Sequence, residues 1–146
     1  MYDVTATGEL LIDFTRNGLS EQNNRIYEAN PGGAPCNVLA MLGKLGYKTA
    51  FIGKVGDDEF GKLLKNTISE QKIDSTGLVM DPDAKTTLAF VDNDETGDRS
   101  FSFYRKPGAD MMFREDEVNY ELIDNCRIFH FGSLSMTDEP VSYTHL

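Results

Sequence analysis

The chain has 146 residues, 40% of them hydrophobic and 26% charged, a composition that fills one ordinary core and excludes a disordered chain. Its net charge of -10, from 14 basic against 24 acidic residues, sets up a field of the wrong sign for nucleic acid or an anionic membrane as partner. A small anionic substrate is not excluded, because a local basic pocket survives inside a negative field.

In chain order, residues 2–12 form an apolar, β-branched run that predicts a strand ending near Asp13. Residues 25–29 predict a short second strand. From Pro35, the positions Val38, Met41, Leu42 and Leu45 follow i, i+3, i+4, i+7 and predict an amphipathic helix closed by Gly46. Proline suits the first helical position, where its missing N–H has no intrahelical partner. Residues 49–55 predict a buried strand. Gly56-Asp57-Asp58-Glu59 then opens a second helix, its acids at the positive end of the dipole and its face made of Phe60, Leu63, Leu64 and Ile68.

Residues 77–80 predict another strand. The alternating runs 86–92 and 99–105 flank the polar turn NDETGD and predict a hairpin. Residues 115–123 predict a helix and 127–131 a last strand. Strands alternating with helices predict an α/β layer architecture with a mainly parallel sheet, from which the hairpin stands out as a flap. The ending VSYTHL continues no pattern. It matches one reading frame of a transposon-end sequencing adaptor, so residues 141–146 read as an adaptor scar and the natural sequence as stopping near Pro140, the front part of a longer protein.

Cys36 and Cys126 lie far apart in apolar surroundings, which predicts reduced thiols and not a disulfide framework. The amino-terminal stretch has no basic region followed by an apolar one, and no apolar run approaches the ~20 residues that cross a bilayer. A cytoplasmic protein is expected.

Several residues carry candidate chemistry. Gly32 and Gly33 remove Cβ atoms that would keep a ligand off the backbone, just before a helix start that offers free N–H donors. Asn37, expected at the second or third helical position, brings both a donor and an acceptor, the mixture a polyol needs. Read locally, the same stretch is equally a tight turn with a solvated asparagine. Asp13, at the expected carboxyl end of the first strand, stands where open α/β sheets place ligand groups, although a turn aspartate reads the same way. Phe103 and Arg105 share a face of the hairpin and could cover a sugar ring; a half-buried sheet face with a solvated arginine is the alternative. His130 reads as a packed strand residue, Asp57-Asp58-Glu59 as a helix start, and no metal-ligand spacing is present. There is neither a G-x-G-x-x-G nor a Walker A spacing.

Together, GELLIDF (8–14), PGGAPCNVLAMLGKLG (31–46), FIGKVGDDEFG (51–61), TTLAFV (86–91), FSFYRKPGADMM (101–112) and IFHFGSLS (128–135) resemble the PfkB carbohydrate kinases and, within them, the fructokinases. The resemblance covers the chain up to about residue 140. Cys36 departs from it, standing where a small residue is common. It implies a ribokinase-like three-layer α/β sandwich, helices on both faces of a mainly parallel sheet, with a small β lid from about 14–30 and 86–105, truncated at its carboxyl-terminal half. It further implies that Asp13, Gly32, Gly33 and Asn37 contact sugar hydroxyls, and that Phe103 and Arg105 close over the sugar. The implied reaction is transfer of the γ-phosphoryl group of ATP, with Mg²⁺, to a sugar hydroxyl. The implied partner is a small-molecule sugar, and a homodimer through the lid is expected. The DTxGAGD-like element that supplies the catalytic base in this family has no match here, so no catalytic residue is assigned. Two other readings stay open: a kinase for another sugar or sugar acid such as 2-keto-3-deoxygluconate, and a non-catalytic sugar-binding module.

Overall fold

A computed structural model describes residues 1–93 and 99–137. The expected junction at residue 140 and most of the NDETGD turn lie outside the described residues. The described chain builds two four-stranded sheets. In the first, β5 (Asp74–Asp81), β4 (Thr49–Gly56), β1 (Tyr2–Thr7) and β8 (Cys126–Phe131) lie side by side, every neighbour parallel. In the second, β3 (Arg25–Gly32), β2 (Leu11–Leu19), β6 (Leu88–Asn93) and β7 (Arg99–Tyr104) pair in that order. Only β2 and β6 are parallel there; the β2–β3 and β6–β7 pairs are antiparallel.

The single strand expected over 2–12 is therefore two strands, one in each sheet. Gly8, at φ 149°, makes the break, and a Cβ there would stand 2.6 Å from Pro35 Cγ. Thr7 and Glu9 beside the corner are buried like the apolar residues next to them, so the expectation of one buried strand carries across it.

Two helices cover one face of the parallel sheet: α1 (Ala34–Lys44) and α2 (Glu59–Glu70). Between them and the sheet lies a core of Val4, Ala6, Leu39, Phe51, Leu64 and Ile68, among others. The opposite face carries Ala50, Ile52, Phe113 and Leu122, the last from the short α3 (Tyr120–Asp124). The sandwich thus has layers on both sides of its sheet. Phe14 of β2 joins the second sheet to this body, meeting Phe60 of α2 edge-on at 5.5 Å and stacking on Phe90 of β6 at 4.9 Å.

The inward face of α1 differs from the expected one. Pro35, Cys36 and Leu39 are buried and Leu42 is partly so, whereas Val38, Met41 and Leu45 are exposed. The helix expected over 115–123 is also interrupted: a 3₁₀ turn at Glu115–Glu117 is followed by extended Val118 before α3 begins. Buried Lys54 of β4 accounts for the local geometry. Its Nζ lies 2.6 Å from Glu117 Oε1 and 3.0 Å from Asp81 Oδ2, and it donates to the Met112 carbonyl at 3.2 Å. Glu117 Oε2 in turn accepts the Arg114 N–H at 2.9 Å. A buried ammonium needs such partners, and this one fastens residues 112–117 against the sheet.

Asp58 caps α2 and does more than end a helix. Its Oδ1 accepts from Gly61 N at 2.9 Å and Thr86 Oγ1 at 2.7 Å, while Oδ2 accepts from Thr86 N at 2.9 Å. Burial alone would raise its carboxyl pKa, but the bonds from Thr86 and Gly61 hold it below the ordinary range. A depressed folded-state pKa contributes stability that is present above the unfolded aspartate value and is lost as pH falls through the folded one. Asp58→Ala is expected to cost about 1–2 kcal/mol, read as a lowered urea midpoint, and to blunt the acid side of the stability profile. An unchanged midpoint would contradict the capping role.

Candidate functional site

Asp13 is the third residue of β2, opposite Asn30 of β3 and beside Ala89 of β6. It does not end the first strand of the parallel sheet, as its place in the sequence suggested; the corner at Gly8 moves it into the second sheet. Its carboxylate is half-buried, and no described residue hydrogen-bonds to it. Burial accordingly pushes its pKa up.

The glycine pair explains how Asp13 reaches the start of α1. A Cβ on Gly32 would collide with Asp13 Oδ2, and one on Gly33 would collide with the Glu9 carbonyl and lie 3.2 Å from Leu10 Cα. Gly33 also sits at φ 120°, a conformation side chains rarely adopt. The bare backbone is used first by the protein itself. It lets the β1–β2 corner and the Asp13 carboxylate press against the turn that opens α1.

Asn37 is the fourth residue of α1, one residue further than expected from the proline, and its N–H bonds to the Gly33 carbonyl at 3.0 Å. Its side chain is exposed and shares with Gly32, Cys36 and Gln71 the lining of a cavity of about 240 Å³ between α1 and α2. Phe103 and Arg105 line a different cavity, of about 490 Å³, with Lys106, Pro107, Met111 and Leu134. The structure therefore sets Asp13 against Gly32, packs Gly33 on Glu9 and Leu10, lines one cavity with Asn37 and Gly32, and gathers Phe103 and Arg105 at another. Neither of these two cavities is lined by all six.

Arg105 is not solvated. Its Nε and Nη2 lie 2.8 and 2.7 Å from Asp110 Oδ2, and the other oxygen of Asp110 accepts from Thr87 Oγ1 at 2.5 Å. Neither Asp110 nor Thr87 stood out in the sequence. Glu9 was missed as well. It is buried, its Oε1 accepts the Ala34 N–H at the start of α1 at 2.9 Å, and its Oε2 has no hydrogen-bond partner among the described residues. A carboxylate at a helix N-terminus is favoured by the helix dipole. Burial, with the charge of Glu9 second, pushes the Cys36 thiol far up, which makes it an unreactive core residue.

The model for the family described as pfkB family carbohydrate kinase matches residues 1–146. The chain belongs to the pfkB family. Among pfkB relatives, it is 45% identical over 145 residues to a protein named probable fructokinase-6, chloroplastic, from Arabidopsis thaliana, which covers 98% of this chain and 38% of the relative. A crystal structure of fructokinase with bound ATP from Xylella fastidiosa superposes with a TM-score of 0.91 at 36% identity, over 99% of this chain and 46% of that one. A fructokinase from Vibrio cholerae O395 in a fructose, ADP and calcium ion bound form gives 0.82 at 31%, over 99% and 45%. The chain spans less than half the length of these relatives. The pfkB fold seen in them is the ribokinase-like sandwich with a second β sheet described above.

Proposed function

We propose that these residues are the sugar-recognising front part of an ATP-dependent fructokinase, with residues 1–140 belonging to the kinase domain and the lid built from about 14–30 and 86–105. The observation that carries the reading is the Asp13 carboxylate: half-buried, without a partner among the described residues, and held against Gly32 beside the start of α1. A carboxylate in that state lacks the hydrogen bonds that adjacent sugar hydroxyls supply. Gly32, Gly33 and Asn37 would complete that contact, and Phe103 with Arg105 would close over the sugar. The fructose and ADP named for the Vibrio cholerae relative support fructose as the acceptor and an adenine nucleotide as the donor.

In this reading the chain binds and orients the acceptor hydroxyl, and most of the barrier lowering in phosphoryl transfer comes from such positioning together with charge stabilisation. ATP would supply the phosphoryl group, and Mg²⁺ would offset the charge of its phosphates. Among the described residues no three His, Cys, Asp or Glu side chains converge as a metal site. The general base belongs to a DTxGAGD-like element beyond these residues. A homodimer through the lid is supported by the exposed Leu19, Ile26, Phe101, Phe103 and Tyr104 on the second sheet. No described helix is long and apolar enough to cross a membrane, and a cytoplasmic location is the reading we adopt, although one relative is named chloroplastic.

The test is ADP formation by the whole enzyme with fructose, against other sugars and sugar acids as acceptors. Fructose should give the highest kcat/KM, and the 146-residue polypeptide alone should give no turnover above a mock preparation. A whole enzyme that makes no ADP with fructose would overturn the reading.

A further inference from the structure

The Arg105 side chain is only 9% exposed, a costly place for an unpaired cation. Its partner Asp110 is 1% exposed, and both its oxygens are engaged, Oδ2 by Arg105 and Oδ1 by Thr87. Gly108 makes the arrangement fit, since a Cβ there would collide with Thr87 Oγ1 and stand 2.8 Å from Asp110 Oδ1. The guanidinium is therefore fixed along one edge, and its charge is cancelled within the same buried unit. The remaining wall of its cavity is mostly apolar: Phe103, Pro107, Met111 and Leu134. Lys106 also borders the cavity, but it is exposed, and a solvated ammonium is hydrated and screened by salt.

We infer that Asp110 is a positioning residue that sets substrate class: it aims Arg105 as a neutral hydrogen-bonding group, so the lid takes an uncharged sugar and rejects a sugar acid. An Arg freed of its partner would do the reverse, because a guanidinium with both donors available binds a carboxylate in bidentate fashion. This inference rests on the proposed sugar contact of Arg105.

The experiment uses the whole enzyme, with fructose and 2-keto-3-deoxygluconate as the competing acceptors. Arg105→Ala tests the underlying contact and should raise the KM for fructose; an unchanged value would sink the lid reading and this inference with it. With that established, Asp110→Asn should lower the kcat/KM ratio of fructose over the sugar acid by roughly tenfold or more, as removal of one desolvated charge partner does. The KM for ATP should stay put, and Arg105→Ala with Asp110→Asn should be no worse for fructose than Arg105→Ala alone. Asp110→Glu should restore the ratio in part. Should Asp110→Asn fail to fold, Thr87→Val loosens the carboxylate while keeping the ion pair, and the ratio should fall by about two- to threefold. A folded Asp110→Asn enzyme, or failing that a folded Thr87→Val enzyme, with unchanged selectivity overturns the inference.

Discussion

Asp13→Ala in the whole enzyme is expected to raise the KM for fructose by about 5- to 150-fold, the equivalent of 1–3 kcal/mol for the lost hydrogen bonds and the hydroxyls left unpaired. The KM for ATP should change little, since no nucleotide contact is assigned to this carboxylate. Asn37→Ala should act in the same direction but less, because its side chain is exposed and lines the neighbouring cavity. The raised pKa of Asp13 adds a second signature. Here the folded protein holds the proton more tightly than the unfolded chain, so the group's contribution to stability is greatest in acid and falls as pH rises through the folded value. Asp13→Asn should therefore leave the neutral-pH melting temperature unchanged or higher while weakening fructose binding. Fructose kcat/KM in the unaltered enzyme should begin to fall, on acidification, above the ordinary aspartate range. Wild-type fructose KM values in both Asp13 variants would remove the residue from the site.

How much of this was legible in the sequence depended on what each signal can distinguish. The strands at 49–55, 77–80 and 127–131 and the helix begun by Asp58 were readable because each is an apolar run or stripe closed by polar punctuation, and β4, β5, β8 and α2 contain them. The hairpin of 86–105 was readable from alternation alone. The corner at Gly8 was not, since the residues on both sides of it are buried and Gly8-Glu9 reads as a short polar interruption within one strand. That one unread corner misplaced Asp13, which stood out for its expected place at the carboxyl end of the first strand.

The face of α1 was misread for a related reason. Val38, Met41, Leu42 and Leu45 satisfy the helical period, but so do Pro35, Cys36, Leu39 and Leu42, and periodicity cannot choose between two apolar stripes. Buried polar groups were harder still. Glu9, Asp110 and Lys54 look like surface charges in a sequence; only the packing shows that a helix start, an arginine and a pair of carboxylates respectively answer them.

The second apolar stripe of α1 bears on how the 146-residue polypeptide behaves by itself. A helix that is apolar on two sides calls for cover on two sides, and Met41 and Leu45 are 60% and 67% exposed. The edge strand β8 is in the same condition. Ile128 is 61% exposed and Phe131 50%, and since successive side chains point to opposite faces, both faces near this edge lack cover. Parallel strands are ordinarily buried on both faces, so an uncovered parallel edge offers both unpaired backbone groups and apolar surface to another chain. The lid adds Phe101 and Phe103, stacked at 6.1 Å and each about half exposed. The net charge of -10 opposes association, but at physiological salt its repulsion is screened within about 8 Å, while apolar contact acts at closer range. We therefore expect the isolated polypeptide to form oligomers, to bind a hydrophobic dye strongly, and to lose both properties when the front part is expressed within the whole enzyme. Light scattering coupled to size exclusion, repeated over a concentration series, measures this directly. A monodisperse monomer with a sharp, concentration-independent melt would mean that these exposed faces are tolerated, and that the front part folds as a self-sufficient unit.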